Sequence, residues 1–351
     1  MSQLSYQISS QLLSTDFRER MIIDTLEQYL RGDDMKKSPL TEWGHRVVER
    51  GDWWYDCEGK TGDELEDAIQ RRQREVIELY HSLEDKGYDG SPISIYVDRE
   101  TGKVNTYDGF HRLSIMKFLG LEAMMNCVIS YNHPTDPNQR GDFHLAGTLA
   151  EINSGNNLYQ PLDDPRVEGW HVWRHDSQDR LNFLLDDTLV FGTVCDIGCS
   201  TGFFSRGLTR AGFKVTGLEH SQKRIAVARY VATIKNIEMN FINGRWQQEL
   251  RGRKFDNIIS LSVFHHDILA HGLKQLQEDL EVLRDSCKRL VVEMPLASAG
   301  IKWLSEDKKG LWSFTVDELV CLLEEATDMK FLKMGVDLLE DRPLIVLEAL
   351  R

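Results

Sequence analysis

The second half of the chain alternates short apolar runs with longer stretches in which apolar residues recur every three or four positions. The first pattern predicts buried strands, and the second predicts helices that cover a sheet. Strands are predicted at residues 190–196, 214–219, 239–242, 255–262, 290–296, 329–336 and 343–349. Helices are predicted at residues 203–211, 222–234, 269–287 and 315–326. The alternation predicts a Rossmann-like α/β domain over residues 181–351, with a seven-stranded sheet whose last strand is antiparallel.

The first half has a less regular pattern, which predicts a smaller α+β domain over residues 1–150. Apolar residues at helical spacing predict an amphipathic helix over residues 1–35, and an aromatic-rich loop is predicted over 39–60. A second helix is predicted at 63–86. Strands and a helix in the order β-β-α-β are then predicted at residues 91–97, 104–107, 108–120 and 124–130.

Residues 151–180 are predicted to form a linker or lid between these two domains. Prolines, asparagines, aspartates and glycines are frequent over residues 132–169, and such residues favour loops. The stretch from Gly169 to Leu181 also contains two tryptophans, two histidines and two arginines. That composition is suited either to a lid over a cofactor or substrate, or to a packing face between domains.

A glycine-rich turn follows the first strand of the predicted seven-stranded sheet. It reads Asp196-Ile-Gly-Cys-Ser-Thr-Gly202, and Glu219 ends the next strand. The two glycines allow the backbone to approach a ligand, and the helix that follows leaves its first amides unpaired. An acid at the end of the second strand can bind two ribose hydroxyls. The G-x-x-x-G spacing differs from that of dinucleotide sites, so a nucleoside with an amino-acid tail is the better fit.

These residues resemble the first two motifs of class I S-adenosylmethionine-dependent methyltransferases, with weaker similarity over residues 181–351. The resemblance implies S-adenosylmethionine as the cofactor and a polar contact to its adenine near residue 243. The cofactor-binding residues that it implies are Asp196, Gly198, Ser200, Thr201, Gly202, Glu219, Asn243 and Gly244.

The segment after the fourth predicted strand carries the candidate catalytic residues. Methyl transfer needs alignment and a dry pocket, and a hydroxyl acceptor also benefits from a base that titrates near neutral pH. In the methyltransferase fold this segment lies over the methyl donor, so His265 and His266 are the candidate bases. One of them is expected to face the pocket, and two structural loop histidines are the alternative. Glu293 is a candidate for orienting a substrate hydroxyl or a histidine, and no catalytic metal is predicted.

The predicted β-β-α unit of the first half carries Asp108-Gly-Phe-His-Arg112 at the start of its helix. This unit resembles the ParB/sulfiredoxin-like nucleotide-binding superfamily. Amides at a helix start, with a histidine and an arginine beside them, suit a phosphate. ATP or CTP is therefore a candidate ligand, bound by Asp108, Gly109, His111 and Arg112.

This second resemblance is limited in two respects. Phe110 stands where sulfiredoxins carry a reactive cysteine, and the Glu-Arg-Arg motif and helix-turn-helix region of DNA-segregating ParB proteins are not visible. A helix cap with two satisfied polar neighbours is the alternative interpretation of Asp108, His111 and Arg112.

Charge and composition restrict the partners. The net charge is −14, and residues 1–180 account for −12 of it. Such an acidic half would repel a phosphate backbone, so nucleic acid is disfavoured as the main partner. Six cysteines lack the spacing of a zinc site or a disulfide framework, and neither a secretory signal nor a membrane-spanning run is visible. A cytoplasmic protein without a membrane segment is expected.

Together these features predict an enzyme that methylates an oxygen of a small molecule, sugar or glycan precursor. The first alternative is a bifunctional kinase-methyltransferase, in which the residues around His111 serve phosphoryl transfer. The second is a nucleic-acid-modifying methyltransferase. The acidic charge disfavours it, and so does Ser260-Leu-Ser262 in place of the D/N-P-P-Y signature of base amino-methylases. The acceptor and the oligomeric state stay open.

Overall fold

The computed structural model describes residues 5–15, 18–51, 54–129, 144–296, 314–335 and 342–350. Their contacts divide them into two compact units. The first comprises residues up to 99 together with 103–129 and 233–236. The second comprises residues 100–102, 144–232 and 237 onward, so the segment 151–180, predicted as a linker or lid, lies within it. Over the described residues, no helix combines the length and the apolar character needed to cross a membrane.

The first unit contains a four-stranded sheet and four α-helices. Its strands are β1 (Ser5–Ser9), β2 (Ile93–Val97), β3 (Val104–Asp108) and β4 (Met124–Ile129). Its helices are α1 (Arg18–Arg31), α2 (Pro39–Glu49), α3 (Gly62–Lys86) and α4 (Phe110–Phe118). The strands lie in the order β1-β4-β2-β3, in which only β2 and β4 pair parallel. The predicted β-β-α-β order of this region is confirmed.

Two predictions for the first sixty residues are wrong. Residues 1–35 do not form one helix, because Ser5–Ser9 is a strand that pairs antiparallel with β4 and buries Ile8 completely. In a segment of five residues the apolar spacing fits both a helix and a strand. Here the pairing with β4 at the edge of the sheet makes the segment a strand. The predicted loop over 39–60 contains α2, whose N-cap Ser38 accepts a hydrogen bond from the Thr41 amide.

The second unit contains the seven-stranded sheet. Its strands are β7 (Thr193–Ile197), β8 (Lys214–Glu219), β9 (Asn240–Asn243), β10 (Phe255–Leu261), β11 (Cys287–Glu293), β12 (Met329–Gly335) and β13 (Leu344–Ala349). Two short strands, β5 (Asn157–Leu158) and β6 (His171–Val172), pair separately. The helices are α5 (Leu145–Asn153), α6 (Ser177–Leu185), α7 (Phe203–Arg210), α8 (Gln222–Ile234), α9 (Trp246–Glu249), α10 (Phe264–His271), α11 (Leu273–Leu280) and α12 (Val316–Thr327).

The order of the strands determines where a binding crevice can form. It runs β12-β13-β11-β10-β7-β8-β9, with β9, β8, β7, β10 and β11 parallel and β13 antiparallel to β11. The seven strands and the antiparallel last strand are as predicted. The chain leaves β7 toward one edge of the sheet and later returns to β10 on the other side of β7. Such a reversal opens a crevice at the carboxyl ends of the strands.

The helix predicted over residues 269–287 is also wrong in its bounds. Helix α10 begins earlier, at Phe264, and ends before Gly272, which has φ +86°. A left-handed glycine at this position ends a helix and lets α11 start in a new direction. The chain then enters β11 at Cys287, which pairs with Phe255 of β10. The apolar pattern of residues 269–287 therefore covers two helices and a strand start.

Candidate active site

A cavity of about 800 Å³ opens at the carboxyl ends of β7, β8, β9 and β10. Its volume is within the roughly 300–1,000 Å³ of small-molecule sites. The lining comes from the four segments that follow these strands, from residues 152–160 and from Arg342. Everything that lines it among the described residues belongs to the second unit.

The turn after β7 brings its backbone to the cavity at Gly198 and Ser200. Gly198 has φ +68°, and a Cβ atom there would lie 2.5 Å from Cγ2 of Val263, which also lines the cavity. Glycine is therefore required at this position both by the backbone conformation and by the lack of space.

Glu219 ends β8, lines the cavity and is 4% exposed. Its Oε2 accepts a hydrogen bond from the Ser200 amide at 3.1 Å, and its Oε1 accepts one from the Ser221 amide at 2.8 Å. These bonds hold the carboxylate between the glycine-rich turn and the start of α8. Each carboxylate oxygen has a second lone pair, so a ligand hydroxyl can still be bound.

The other three predicted residues of the turn support it without lining the cavity. Asp196 is buried and accepts a hydrogen bond from the Ser205 hydroxyl at 2.5 Å. Burial raises the pKa of Asp196 to about 7, against the effect of the Ser205 hydrogen bonds. Gly202 has φ +80° and precedes α7, and the carbonyl of Thr201 accepts a hydrogen bond from the Arg206 guanidinium.

Asn243 and Gly244 differ in whether they line the cavity. The Asn243 amide nitrogen donates to the backbone carbonyls of Glu219 at 2.9 Å and His220 at 3.1 Å. Asn243 thus ties the end of β9 to the end of β8. Of the two residues predicted near the adenine, only Gly244 lines the cavity.

His265 and His266 occupy the first turn of α10 and both line the cavity. Their ring centroids are 4.1 Å apart with a tilt of 36°. His265 is 1% exposed, whereas His266 is exposed. Both histidines therefore border the cavity, and which of them faces the methyl acceptor stays a prediction.

The pKa values of both imidazoles are lowered from the usual histidine value. Burial lowers the pKa of His265 well below its usual value, and the neighbouring His266 and Arg342 lower it further. Loss of water around His266 lowers its pKa as well, followed by the charges of Arg342 and Arg224 and the nearby His220. A neutral imidazole has a lone pair that can accept a proton.

Glu293 ends β11, is fully buried and does not line the cavity. Its Oε1 accepts from Nη1 of Arg174 at 3.1 Å, its Oε2 accepts from Nη1 of Arg180 at 2.7 Å, and the Ser262 hydroxyl also donates to it. Burial acts to raise the pKa of Glu293, but Arg180 and Arg174 outweigh it and keep the pKa below its usual value. The carboxylate is thus held by Arg174, Arg180 and Ser262.

The stretch from Gly169 to Leu181 supplies both of these arginines. Arg174 also pairs with Asp176 at 2.7 Å, and Arg180 pairs with the same carboxylate at 3.1 Å. This part of the stretch is packed inside the second unit, whereas Trp173 is 59% exposed. The paired arginines anchor the stretch beside the ends of β10 and β11.

The cavity residues that were not identified from the sequence include Arg224, Ser262 and Arg342. Arg224 could have been found, because it lies on the first turns of α8, five positions after the predicted ribose-binding acid. Ser262 and Arg342 gave no signal, since they are 80 positions apart and meet only through the sheet.

The candidate phosphate-binding residues of the first unit surround the start of α4. Gly109 has φ +86°, and its amide donates to Oδ1 of Asp108 at 2.8 Å. Arg112 donates to the carbonyl of Ser91 at 3.2 Å. Burial and the charge of Arg18 lower the pKa of His111 to about 4, although Asp108 acts to raise it.

A family model described as a methyltransferase domain matches residues 194–286. The match covers the glycine-rich turn, Glu219 and both candidate histidines. The chain carries a class I S-adenosylmethionine-dependent methyltransferase domain. Its sheet is the seven-stranded sheet described above.

Known relatives of the methyltransferase domain include two kinds of enzyme. The O-antigen chain terminator bifunctional methyltransferase/kinase WbdD of Escherichia coli is 32% identical over 114 residues, which are 31% of this chain and 16% of that protein. A ubiquinone biosynthesis O-methyltransferase of Rickettsia bellii is 32% identical over 73 residues, or 21% of this chain and 30% of that protein. The chain thus spans less than a third of the length of either. A crystal structure of WbdD superposes with a TM-score of 0.45 at 22% identity, over 58% of this chain and 46% of that one.

The donor set of the cavity suits S-adenosylmethionine. The methyltransferase domain offers a buried carboxylate, Glu219, of the kind that binds ribose hydroxyls, beside a turn in which a side chain at position 198 would clash. Among the residues that the structure describes, no group of three or more His, Cys, Asp or Glu side chains could hold a metal ion.

Proposed function

We propose that this chain transfers a methyl group from S-adenosylmethionine to an oxygen of a small molecule, sugar or glycan precursor. The observation that carries the proposal is that His265 and His266 line the same cavity as Glu219 and the glycine-rich turn. The names of the Rickettsia and E. coli relatives, an O-methyltransferase and an O-antigen terminator, are consistent with such an acceptor. Six cysteines without disulfide spacing favour a cytoplasmic location.

The cofactor site is proposed along the ends of β7, β8 and β9. When bound, S-adenosylmethionine would supply a methyl group to a lone pair of the acceptor oxygen, with S-adenosylhomocysteine leaving as the carbon–sulfur bond breaks. Glu219 would accept hydrogen bonds from the ribose hydroxyls, while the backbone at Gly198 and Ser200 would border the amino-acid tail. Gly244 would border the adenine. Asp196, Thr201, Gly202 and Asn243 would hold these segments in place.

One of the two histidines would act as general base. Their lowered pKa values keep both rings neutral, so that a ring nitrogen can accept the hydroxyl proton as the acceptor oxygen attacks. Stacking of the rings gives each a fixed orientation. Glu293 would act as a positioning residue through Ser262, two residues before the helix that carries the histidines.

The proposal is tested by two measurements on the full chain. Calorimetry with S-adenosylhomocysteine should give saturable binding, and incubation with radiolabelled methyl donor and a panel of hydroxyl acceptors should label one acceptor class. An absence of S-adenosylhomocysteine binding would contradict the cofactor site, and labelling only of amines would contradict oxygen as the acceptor.

For the first unit, we propose a ParB/sulfiredoxin-like domain that binds ATP, CTP or another phosphate at the start of α4. Support comes from the β-β-α-β order, from the left-handed Gly109 that opens the helix, and from the charge of Arg18 acting on His111. ATP and CTP titrations should saturate, and His111→Ala should weaken them. His45→Ala is the control, because His45 lies on α2 and pairs with Glu66.

A kinase activity of this unit is the second candidate, favoured by the name of the E. coli relative, a bifunctional methyltransferase/kinase. It predicts ATP hydrolysis or substrate phosphorylation that His111→Ala abolishes while methyl transfer is retained. Nucleotide binding without either reaction would reject the kinase and leave the binding proposal standing.

A further inference from the structure

Two serines at the cavity have a backbone conformation that side chains rarely adopt. Ser200 has φ +52° and Ser262 has φ +63°, and each directly follows or nearly follows a strand end. The described residues include four other non-glycine positions with positive φ, and these follow helices, where that conformation is ordinary. They are Ser154, Asp187, Asn236 and Asp328. Strained backbone conformations of this kind are concentrated at functional sites, so the two serines indicate a functional role for this part of the cavity.

Each of the two serine hydroxyls binds an arginine of the cavity wall. Nη1 of Arg224 donates to Oγ of Ser200 at 2.8 Å, and Nη1 of Arg342 donates to Oγ of Ser262 at 3.0 Å. The serines come from the two strand ends that flank the crevice, those of β7 and β10. The unusual backbone therefore fixes two guanidinium groups on opposite segments of one lining.

The two guanidinium groups both influence His266. The charges of Arg342 and Arg224 both lower the pKa of His266. Arg342 is only 5% exposed, and the Ser262 hydroxyl to which it donates also donates to Glu293. Within the described part of the chain, no carboxylate lies within ion-pair distance of Arg224, whose hydrogen-bond partner is the neutral Ser200 hydroxyl.

Basic side chains outnumber carboxylates among the described residues that line the cavity. Among the described residues the lining has four Lys or Arg side chains and two carboxylates, although the chain as a whole has a net charge of −14. Glu219 is bound by two backbone amides. Asp267 accepts hydrogen bonds from the Trp246 ring nitrogen at 3.0 Å and from the Gln247 amide at 3.4 Å. The cavity is therefore locally cationic in an acidic protein.

We infer that the methyl acceptor carries an anionic group, a carboxylate or a phosphate, which binds between Arg224 and Arg342 beside the two histidines. This inference rests on the proposed methyltransferase function and narrows its substrate class. Guanidinium groups bind both anions through paired hydrogen bonds. An anion held there also places the acceptor close to His266 and offsets the positive charge around that ring.

The first experiment titrates the full chain, saturated with S-adenosylhomocysteine, with inorganic phosphate and with acetate. Binding is followed by calorimetry and by the NMR signals of the His266 ring. We expect saturable binding of at least one anion, weakened roughly tenfold or more by Arg224→Gln and by Arg342→Gln. Arg253→Gln is the control, since Arg253 is exposed, pairs with Glu249 and does not line the cavity. Tighter phosphate binding indicates a phosphate ester acceptor, and tighter acetate binding a carboxylate.

The outcomes separate this inference from the function on which it rests. Normal S-adenosylhomocysteine binding without anion binding would overturn the anionic acceptor and leave the methyltransferase proposal intact. A failure to bind S-adenosylhomocysteine would reject both. If Arg224→Gln weakened S-adenosylhomocysteine binding and spared the anions, Arg224 would serve the cofactor and the inference would be wrong.

A pair of glycine variants tests the role of the strained backbone. Ser200→Gly and Ser154→Gly both relieve a left-handed φ, of +52° and +55° respectively, so both should raise the midpoint of urea unfolding. Only Ser200→Gly removes a hydroxyl that holds Arg224, so only this variant should weaken anion binding. Equal anion binding by the two variants would refute the link between strain and arginine position.

Discussion

Two strand-glycine-helix turns, one in each unit, look alike in sequence and differ in what surrounds them. Gly109 and Gly202 each have a left-handed φ, of +86° and +80°, and each directly precedes a helix. At the first turn the polar groups bind their own neighbours, since Asp108 accepts from the next amide and Arg112 donates to a carbonyl. The second turn borders a cavity of about 800 Å³ with a separate carboxylate, Glu219, beside it.

The difference lies in the sheet behind each turn. Among the described residues, strand β3 pairs antiparallel with β2, and on its other side it meets an isolated parallel bridge between Ser14 and Asn105 and no complete parallel strand. Strand β7 is central, with parallel strands on both sides and the reversal of chain direction next to it. A local motif thus provides amides and a helix start, and a crevice requires the neighbouring strands as well.

The largest effect is expected for the histidines of the second unit. His265→Ala or His266→Ala should lower kcat by about 10²–10⁴-fold, because a positioned general base contributes that much. Affinity for S-adenosylhomocysteine should stay within about twofold of wild type. His111→Ala, at the first turn, should leave methyl transfer unchanged. Full turnover in both single variants of the pair would reject the general base.

The ion pairs behind the second turn should matter next. Glu293→Gln removes the charge that balances Arg174 and Arg180, so it should lower the free energy of unfolding by about 3–5 kcal/mol. Urea unfolding measures this loss. Glu348→Gln is the matched control, because Glu348 pairs with Arg289 at the surface and its loss should cost about 1 kcal/mol or less. Similar losses of unfolding free energy in both variants would show that the buried ion pairs stabilise the fold no more than a surface ion pair does.

The carboxylates of the two turns should differ in cofactor binding. Glu219→Ala should weaken S-adenosylhomocysteine binding by roughly 10- to 100-fold, the value of hydrogen bonds to a charged acceptor. Asp108→Ala and the exposed-site control Glu151→Ala should not change it. Calorimetry with S-adenosylhomocysteine on the three variants measures this difference. Unchanged binding by Glu219→Ala would contradict the proposed contact to the ribose.

The smallest effect concerns pH and the first unit. Burial and Arg18, with a further contribution from Arg72, give folded His111 a pKa of about 4, against the effect of Asp108. The unfolded chain, with a histidine pKa of about 6.5, then binds more protons between these values. The contribution of His111 to stability is therefore complete above about pH 6.5 and is lost as the pH falls toward 4. His111→Gln should reduce this dependence in thermal unfolding, and an unaltered pH profile would contradict the burial of the ring.

The sequence determined the parts of the methyltransferase domain that depend on neighbours along the chain. Periodicity located most of its strands and helices, and the turn chemistry indicated Gly198 and Glu219, which line the cavity. The sequence also showed that His265 and His266 follow shortly after the fourth predicted strand. Each of these features follows from local backbone preference and from the alternation of buried and exposed positions, which are visible in the order of residues.

The tertiary structure decided what depends on the order of the strands. Glu293, the candidate for orienting a substrate hydroxyl or a histidine, binds Arg174 and Arg180, which lie more than a hundred positions earlier in the chain. The meeting of Ser262 with Arg342, and the joint action of Arg224 and Arg342 on His266, arise in the same way. Pairing of β10 with β7 and β11 brings these groups together, and their separation along the chain leaves no local pattern from which the contact could be predicted.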